Sequence, residues 1–337
     1  MKMHKIILLI IILTLNLIVG FAQTEKYKKI YQDAFYEQLA MLTGEKVIDF
    51  KRAVFITENA YHKDTLNYNT FNTEISEIVY KLKNLINKRG LERYKTAGNW
   101  AIFAYMTDSI LQNNFTPYTY DFEDFMADKD WTKMFITKLM RTKKGNCHSL
   151  PYLYKILSQE LNVNAYLTLA PNHVYIKHID EKGQWTNIEL TNGGFPRDQW
   201  IIQQMAIPIE AIKSEIYMKP LSEVESIALT MFDLASAYEF QFGVDKFYLT
   251  VIDTALSYFP KCIPLLMCKV NYYTTIGQNE KEKNNPNPEI LKEAFEKQEL
   301  VVHTINNLGY KDMPVEVYEQ WIQSLEKEMK KRKEQKQ

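Results

Sequence analysis

Three short stretches of this chain hold residues that could do nucleophilic chemistry together. The first reads Gly145-Asn146-Cys147-His148-Ser149-Leu150-Pro151, the second Pro171-Asn172-His173-Val174-Tyr175, and the third Asn187-Ile188-Glu189-Leu190-Thr191-Asn192-Gly193-Gly194. In chain order they offer a thiol, an imidazole and a carboxylate, with the Asn192 amide as the alternative third group. A thiol attacks an acyl carbon as the thiolate, and a nearby imidazole can hold it in that form. The imidazole itself needs a third group to fix its tautomer and orientation.

Positioning these groups falls to one helix and a hairpin. Leu150, Leu153, Tyr154, Leu157 and Leu161 mark one helical face. Pro151 has no N–H and is tolerated only in a first turn, so the helix begins near His148 or Ser149. Cys147 then sits at a helix N-terminus, where free N–H groups and the dipole favour a thiolate and a developing oxyanion. Ala165–Leu169, His173–Ile179 and Gln184–Thr191 read as strands, the last two as a hairpin. A three-residue loop that pairs Ile179 with Gly183 sets His173 directly opposite Glu189. A two-residue loop turns Glu189 to the other face. By strand parity His178 points away from His173, and both His148 and His178 read as structural. The basic turn Arg141–Lys144 could lower the pKa of the Cys147 thiol, although such lysines are usually solvated.

The whole chain narrows the possibilities. Its 337 residues allow two domains, or one with a large extension, and 46% apolar with 24% charged residues is an ordinary globular balance. With 41 basic and 41 acidic residues it lacks the basic face of a nucleic-acid binder. Lys2, Lys5, the apolar run Ile6–Val19 and the small residues Gly20 and Ala22 read as a cleavable leader over residues 1–22. Without Lys2 and Lys5, 39 bases remain against 41 acids. The mature chain is expected to be exported, periplasmic or secreted, and its composition suggests a bacterial source, with no stable membrane span after cleavage. Among the three cysteines, Cys262 and Cys268 could pair or be buried separately, which leaves Cys147 as the odd thiol. His148, His173 and His178 lack a closed ligand set, so neither a metal nor another cofactor is expected.

Elsewhere the pattern is helical. Helices are expected over Thr24–Gly44, Thr70–Arg89, Tyr94–Leu111 and Trp131–Leu139, with Lys46–Tyr61 read as strand or packed extended chain. The aromatic, acidic run Tyr118–Phe125 reads as a packed connector, with a groove border as the alternative. From Leu221 onward only helices are expected, ending in a solvated tail over Lys327–Gln337.

The run Gly-Asn-Cys-His-Ser-Leu, followed by Pro-Asn-His-Val and Ile-Glu-Leu-Thr-Asn-Gly, resembles the transglutaminase-like branch of the papain-like fold. Leu234-Ala235-x-x-Tyr238, then Gly243, Ala255 and Pro260, resembles a tetratricopeptide unit one residue longer than usual. The resemblance implies an α+β fold, with a helix packed on a small antiparallel sheet, followed by an all-α tetratricopeptide-like region. It divides the chain into a signal peptide (1–22), a mostly helical part of the core (23–130), the Cys-His-Glu core (131–220) and an α-helical domain (221–337). By position it makes Cys147 the nucleophile, His173 the general base and acid, and Glu189 the orienting carboxylate in place of the usual Asp.

The function this implies is cleavage or transfer of an amide or peptide acyl group through a Cys147 thioester. The substrate would be a peptide or protein, with cell-envelope peptide as one candidate, and the C-terminal helices could hold a protein partner. Two other functions compete with it. One is a non-catalytic module that binds peptide or envelope on the same fold, and the other is an assembly factor acting through its C-terminal helices.

Overall fold

The computed structural model describes residues 23–335, so the leader expected over residues 1–22 lies outside the described residues. The chain opens with helix α1 (23–42), followed by α2 (Phe50–Tyr61), α3 (Tyr68–Arg89) and α4 (Ala97–Thr107). Short strands β1 (Thr119–Tyr120) and β2 (Lys144–Gly145) pair in parallel around α5 (Ile136–Thr142). Then come α6 (Ser149–Glu160), β3 (Tyr166–Ala170), β4 (His173–Ile179) and β5 (Trp185–Ile188). The remainder is helical: α7 (Asp198–Gln204), α8 (Ile209–Lys213), α9 (Glu223–Phe242), α10 (Lys246–Tyr258), α11 (Ile263–Lys281), α12 (Pro288–Asn307) and α13 (Val315–Gln335). With 62% helix and 8% strand the fold is α+β, heavily weighted to helix.

Expectation and structure part at α2. The segment read as strand or extended chain is a helix, with Asp49 accepting from the Arg52 N–H as its N-cap. Its contiguous apolar run, Ala53-Val54-Phe55-Ile56, looks like a buried strand because the helix is covered on most of its circumference. The same helix contributes Glu58, a buried carboxylate that accepts from the N–H groups of Ile136 and Thr137 and so caps α5 from another element. Burial pushes the Glu58 pKa up to about 7.

Helix α6 is the central element. Every residue from Ser149 to Ser158 is buried, so the helix has no solvent stripe, and the sheet β3-β4-β5 packs against it. Lys155 lies inside this shell, where its Nζ donates to the Ala165 carbonyl and pairs with Glu223 of α9. A buried ammonium is tolerable only with such partners.

The β4–β5 register differs from expectation by two residues. Ile179 pairs with Trp185 and Ile176 with Ile188, which leaves a five-residue loop. Asp180 organises that loop by accepting from the N–H groups of Lys182 and Gln184. An odd loop length keeps Glu189 on the His173 face, but diagonal to it instead of directly opposite. Glu189 lies just past β5, in an isolated bridge with Gly194.

The C-terminal helices do not stand apart from the rest. One hydrophobic core runs from Tyr31 through α6 to Ile305 and Trp321. Helix α9 packs on α2, and the Tyr31 hydroxyl of α1 donates to the Ala237 carbonyl. Helices α9 to α12 pack each on the next. Helix α13 extends through residues read from sequence as a tail. Among the described residues no helix is long and apolar enough to cross a membrane.

Candidate active site

Backbone placement of Cys147 comes first. His148 is the N-cap residue of α6, so Cys147 stands immediately before the helix, as Pro151 implied. The buried Asn146 holds the turn: its Oδ1 accepts from the His148 and Ser149 N–H groups, and its Nδ2 donates to the Phe125 carbonyl. A Cβ on Gly145 would come within 2.6 Å of Leu139 Cδ1 and 2.7 Å of Ser149 Oγ, so a larger residue there would have to push aside these buried side chains, including the Ser149 hydroxyl that accepts from the Asn146 N–H. Among the described residues the Cys147 N–H makes no hydrogen bond. Its thiol reaches toward the Asn172 carbonyl at 3.8 Å.

Strand β4 supplies the imidazole. A tight turn at Pro171–Asn172, with Asn172 at φ 52°, pairs Ala170 with His173 and sets His173 at the strand start. Its Nε2–H donates to Glu189 Oε2 at 2.6 Å, with both side chains buried. The other Glu189 oxygen accepts from the N–H and the hydroxyl of Thr191, at 2.9 and 2.7 Å. His173 Nδ1 is buried and has no hydrogen-bond partner among the described residues.

The charges follow from this arrangement. Burial alone would lower the His173 pKa, but the Glu189 carboxylate and the Cys147 thiolate outweigh it and raise the imidazole to about 10. Burial would raise the thiol, but the positive charge of the neighbouring His173 outweighs it and brings Cys147 below its ordinary value. Glu189 is held below the usual carboxylate range, the His173 charge and the Thr191 hydrogen bonds overcoming its burial. The structure thus brings Cys147, His173 and Glu189 together. Asn192 is elsewhere: it makes no hydrogen bond to His173 and borders a separate open cleft of about 560 Å³ with Phe195 and Trp200.

A second imidazole lies beside the thiol. His148, read from sequence as structural, points Nδ1 at the Met134 carbonyl (3.0 Å) and Nε2 at Asp233 Oδ1 on α9 (2.9 Å). Both partners are acceptors, so the ring carries both protons. Burial would lower the His148 pKa, but Asp233 and the Met134 carbonyl raise it, and its charge lowers the Cys147 pKa. The basic turn does not do this, since Lys143 donates to the Tyr118 hydroxyl and Lys144 is exposed. Asp233→Asn is expected to slow alkylation of Cys147 at pH 6 by roughly three- to tenfold, corresponding to a shift of up to about one pKa unit. An alkylation pH profile overlaying that of the wild type would refute the role of this ion pair.

Three residues around the thiol and its two imidazoles were not assigned to the site from sequence. Asp233 is an isolated acid in the apolar α9 pattern, the signal that could have singled it out. Tyr120 lies beside Cys147 because β1 pairs with β2, and its buried hydroxyl has no hydrogen-bond partner among the described residues. Burial, then the charges of Cys147 and Glu189, raise its pKa well above the ordinary tyrosine value, so it remains an O–H donor. Trp321 of α13 packs edge-on to the His173 ring at 5.8 Å between centroids. Beside the thiol lies a cavity of about 510 Å³, bounded by Cys147, His173 and Asn172 on one side and by α9, α10 and α11 on another.

Among the described residues no three His, Cys, Asp or Glu side chains converge as a metal site requires. No family model and no curated protein matches the chain. It is similar to a solved structure described as "Crystal structure of menin reveals the binding site for Mixed Lineage Leukemia (MLL) protein". The identity is 10% and the TM-score 0.37, over 82% of this chain and 70% of that one. A likeness so low carries no argument about fold or function.

Proposed function

We propose that the protein is an exported thiol enzyme of transglutaminase-like type, with a papain-like core and a tetratricopeptide-like C-terminal region, that cleaves or transfers an amide acyl group through Cys147. One observation carries the reading: a thiol at the start of a buried helix shares a cavity with an imidazole whose far nitrogen is hydrogen-bonded to a buried carboxylate. With Nε2–H fixed on Glu189, the other ring nitrogen is left for the thiol proton.

The steps follow from these positions. The Cys147 thiolate attacks the amide carbonyl carbon, forming a C–S bond and placing negative charge on oxygen. The Cys147 N–H and the Tyr120 O–H are the donors for that oxyanion, each without a hydrogen-bond partner among the described residues. As the C–N bond breaks, the amine leaves with the proton from His173 Nδ1. Water or a second amine, giving its proton to His173, then displaces the thiolate from the thioester.

Hydroxylamine tests this directly, because it converts a thioester to a hydroxamate and frees the thiol. Incubated with a peptide mixture and hydroxylamine, the wild type is expected to form hydroxamates that Cys147→Ala does not. Tyr120→Phe is expected to reduce their rate by about 10²-fold, the usual loss for one oxyanion donor. Peptide binding by both proteins without any hydroxamate would instead support the non-catalytic module.

A further inference from the structure

The cavity beside Cys147 is a built chamber. Met126, Leu169, Leu229, Phe232, Ile263 and Met267 give it an apolar wall, and its volume of about 510 Å³ lies in the range that encloses small ligands. Helix α9 gives its length. Leu229 and Glu239 both line it and lie ten residues apart, about 15 Å along a helix, with Asp233 between them anchoring His148. The chamber therefore runs past the nucleophile and between the C-terminal helices. Away from the two histidines, Glu239 is the one charged lining residue among the described residues, and that carboxylate already accepts from Asn271 at 2.7 Å.

We infer that this chamber holds the acyl side of the substrate, and that the group it accepts is a long aliphatic or aromatic chain. The inference rests on the proposed use of Cys147. A carbonyl carbon in reach of the thiolate has this partly open chamber beside it, and an apolar wall favours an apolar occupant by removing its surface from water. Trp321 of α13 packs edge-on to the imidazole and, among the described residues, does not line the chamber. The other thiol in the wall, Cys268, is pushed up to about 11 by burial and remains protonated at neutral pH.

Paired alkylating reagents separate this inference from the catalytic one. Iodoacetamide and N-octyl iodoacetamide carry the same reactive group, and mass spectrometry reads their rates at each cysteine peptide. In the wild type the octyl reagent is expected to label Cys147 about tenfold faster or more, with saturation, and to spare Cys268. Met267→Glu is expected to bring the ratio of the two rates toward one. Met267 is 40% exposed, so this change does not place a charge in the core. Met267→Trp, which fills the same space without charge, should lower the ratio as well. Equal rates in the wild type, or a ratio indifferent to Met267, would overturn the chamber assignment. The pH profile with iodoacetamide alone reports the thiolate, so the catalytic reading can fail while the ratio still reads the chamber.

Discussion

Replacement of His173 by Ala is expected to slow iodoacetamide alkylation of Cys147 at pH 6 by roughly ten- to a hundredfold. At that pH an ordinary thiol, with a pKa of about 8.5, is only about 0.3% ionised. In the wild type the imidazolium keeps the thiol pKa below its ordinary value, so a larger share is reactive. Full ionisation would give a gain of about 300-fold, but a low-pKa thiolate is intrinsically less nucleophilic, which brings the expected difference down. The two rates should converge above about pH 9, where both thiols ionise. The same profile in both proteins would remove the ion pair and the catalytic reading with it. Because Ala leaves the Glu189 carboxylate buried beside a lost cation, the variant could lose about 3–5 kcal/mol of stability. His173→Gln keeps a donor facing Glu189, and the same shift in that variant would separate loss of the imidazole from loss of the fold.

How much of this was legible in the sequence depended on the range of the determining contact. The start of α6 was readable because Pro151 can occupy only a first turn, and the bounds of β4 followed from its own composition. The two-residue slip in the β4–β5 register came from Asp180, whose side chain stabilises a longer loop than the turn pattern implied. Helix α2 was misread because burial on most sides erases helical periodicity. Tyr120, inside the run read as a packed connector or groove border, could not be assigned to the thiol, and Asp233 was not singled out. Tyr120 depends on a strand pair spanning α5, and Asp233 on a hydrogen bond to a residue 85 positions away. Both come to the thiol through the packing of elements whose order the local pattern does not specify.

The third position gives the other large effect. Glu189→Gln is expected to lower the rate of hydroxamate formation by about 10²–10⁴-fold, toward the upper limit known when a triad imidazole is held in the wrong tautomer. The reason lies in Thr191. Its backbone N–H can only donate, so a Gln oxygen would take its place toward Thr191 and the amide NH₂ would face His173. The ring would then have to accept at Nε2 and carry its proton at Nδ1, on the side where it must receive the thiol proton. Turning the amide over sets NH₂ against N–H instead. Glu189→Asp, one methylene shorter, cannot keep both the His173 and Thr191 contacts and should fall between the wild type and Gln. Stability follows the same pair with a definite sign. The raised imidazole contributes fully below its ordinary pKa of 6.5, and that contribution fades as pH rises through about 10. The lowered carboxylate contributes above its ordinary pKa of 4.5 and fades as pH falls below it. The stability advantage of wild type over Glu189→Gln should therefore be widest between pH 4.5 and 6.5 and shrink on both sides. Denaturant midpoints measured across pH check this, and an advantage constant from pH 4 to 10 would mean that the carboxylate and imidazole are not charged partners.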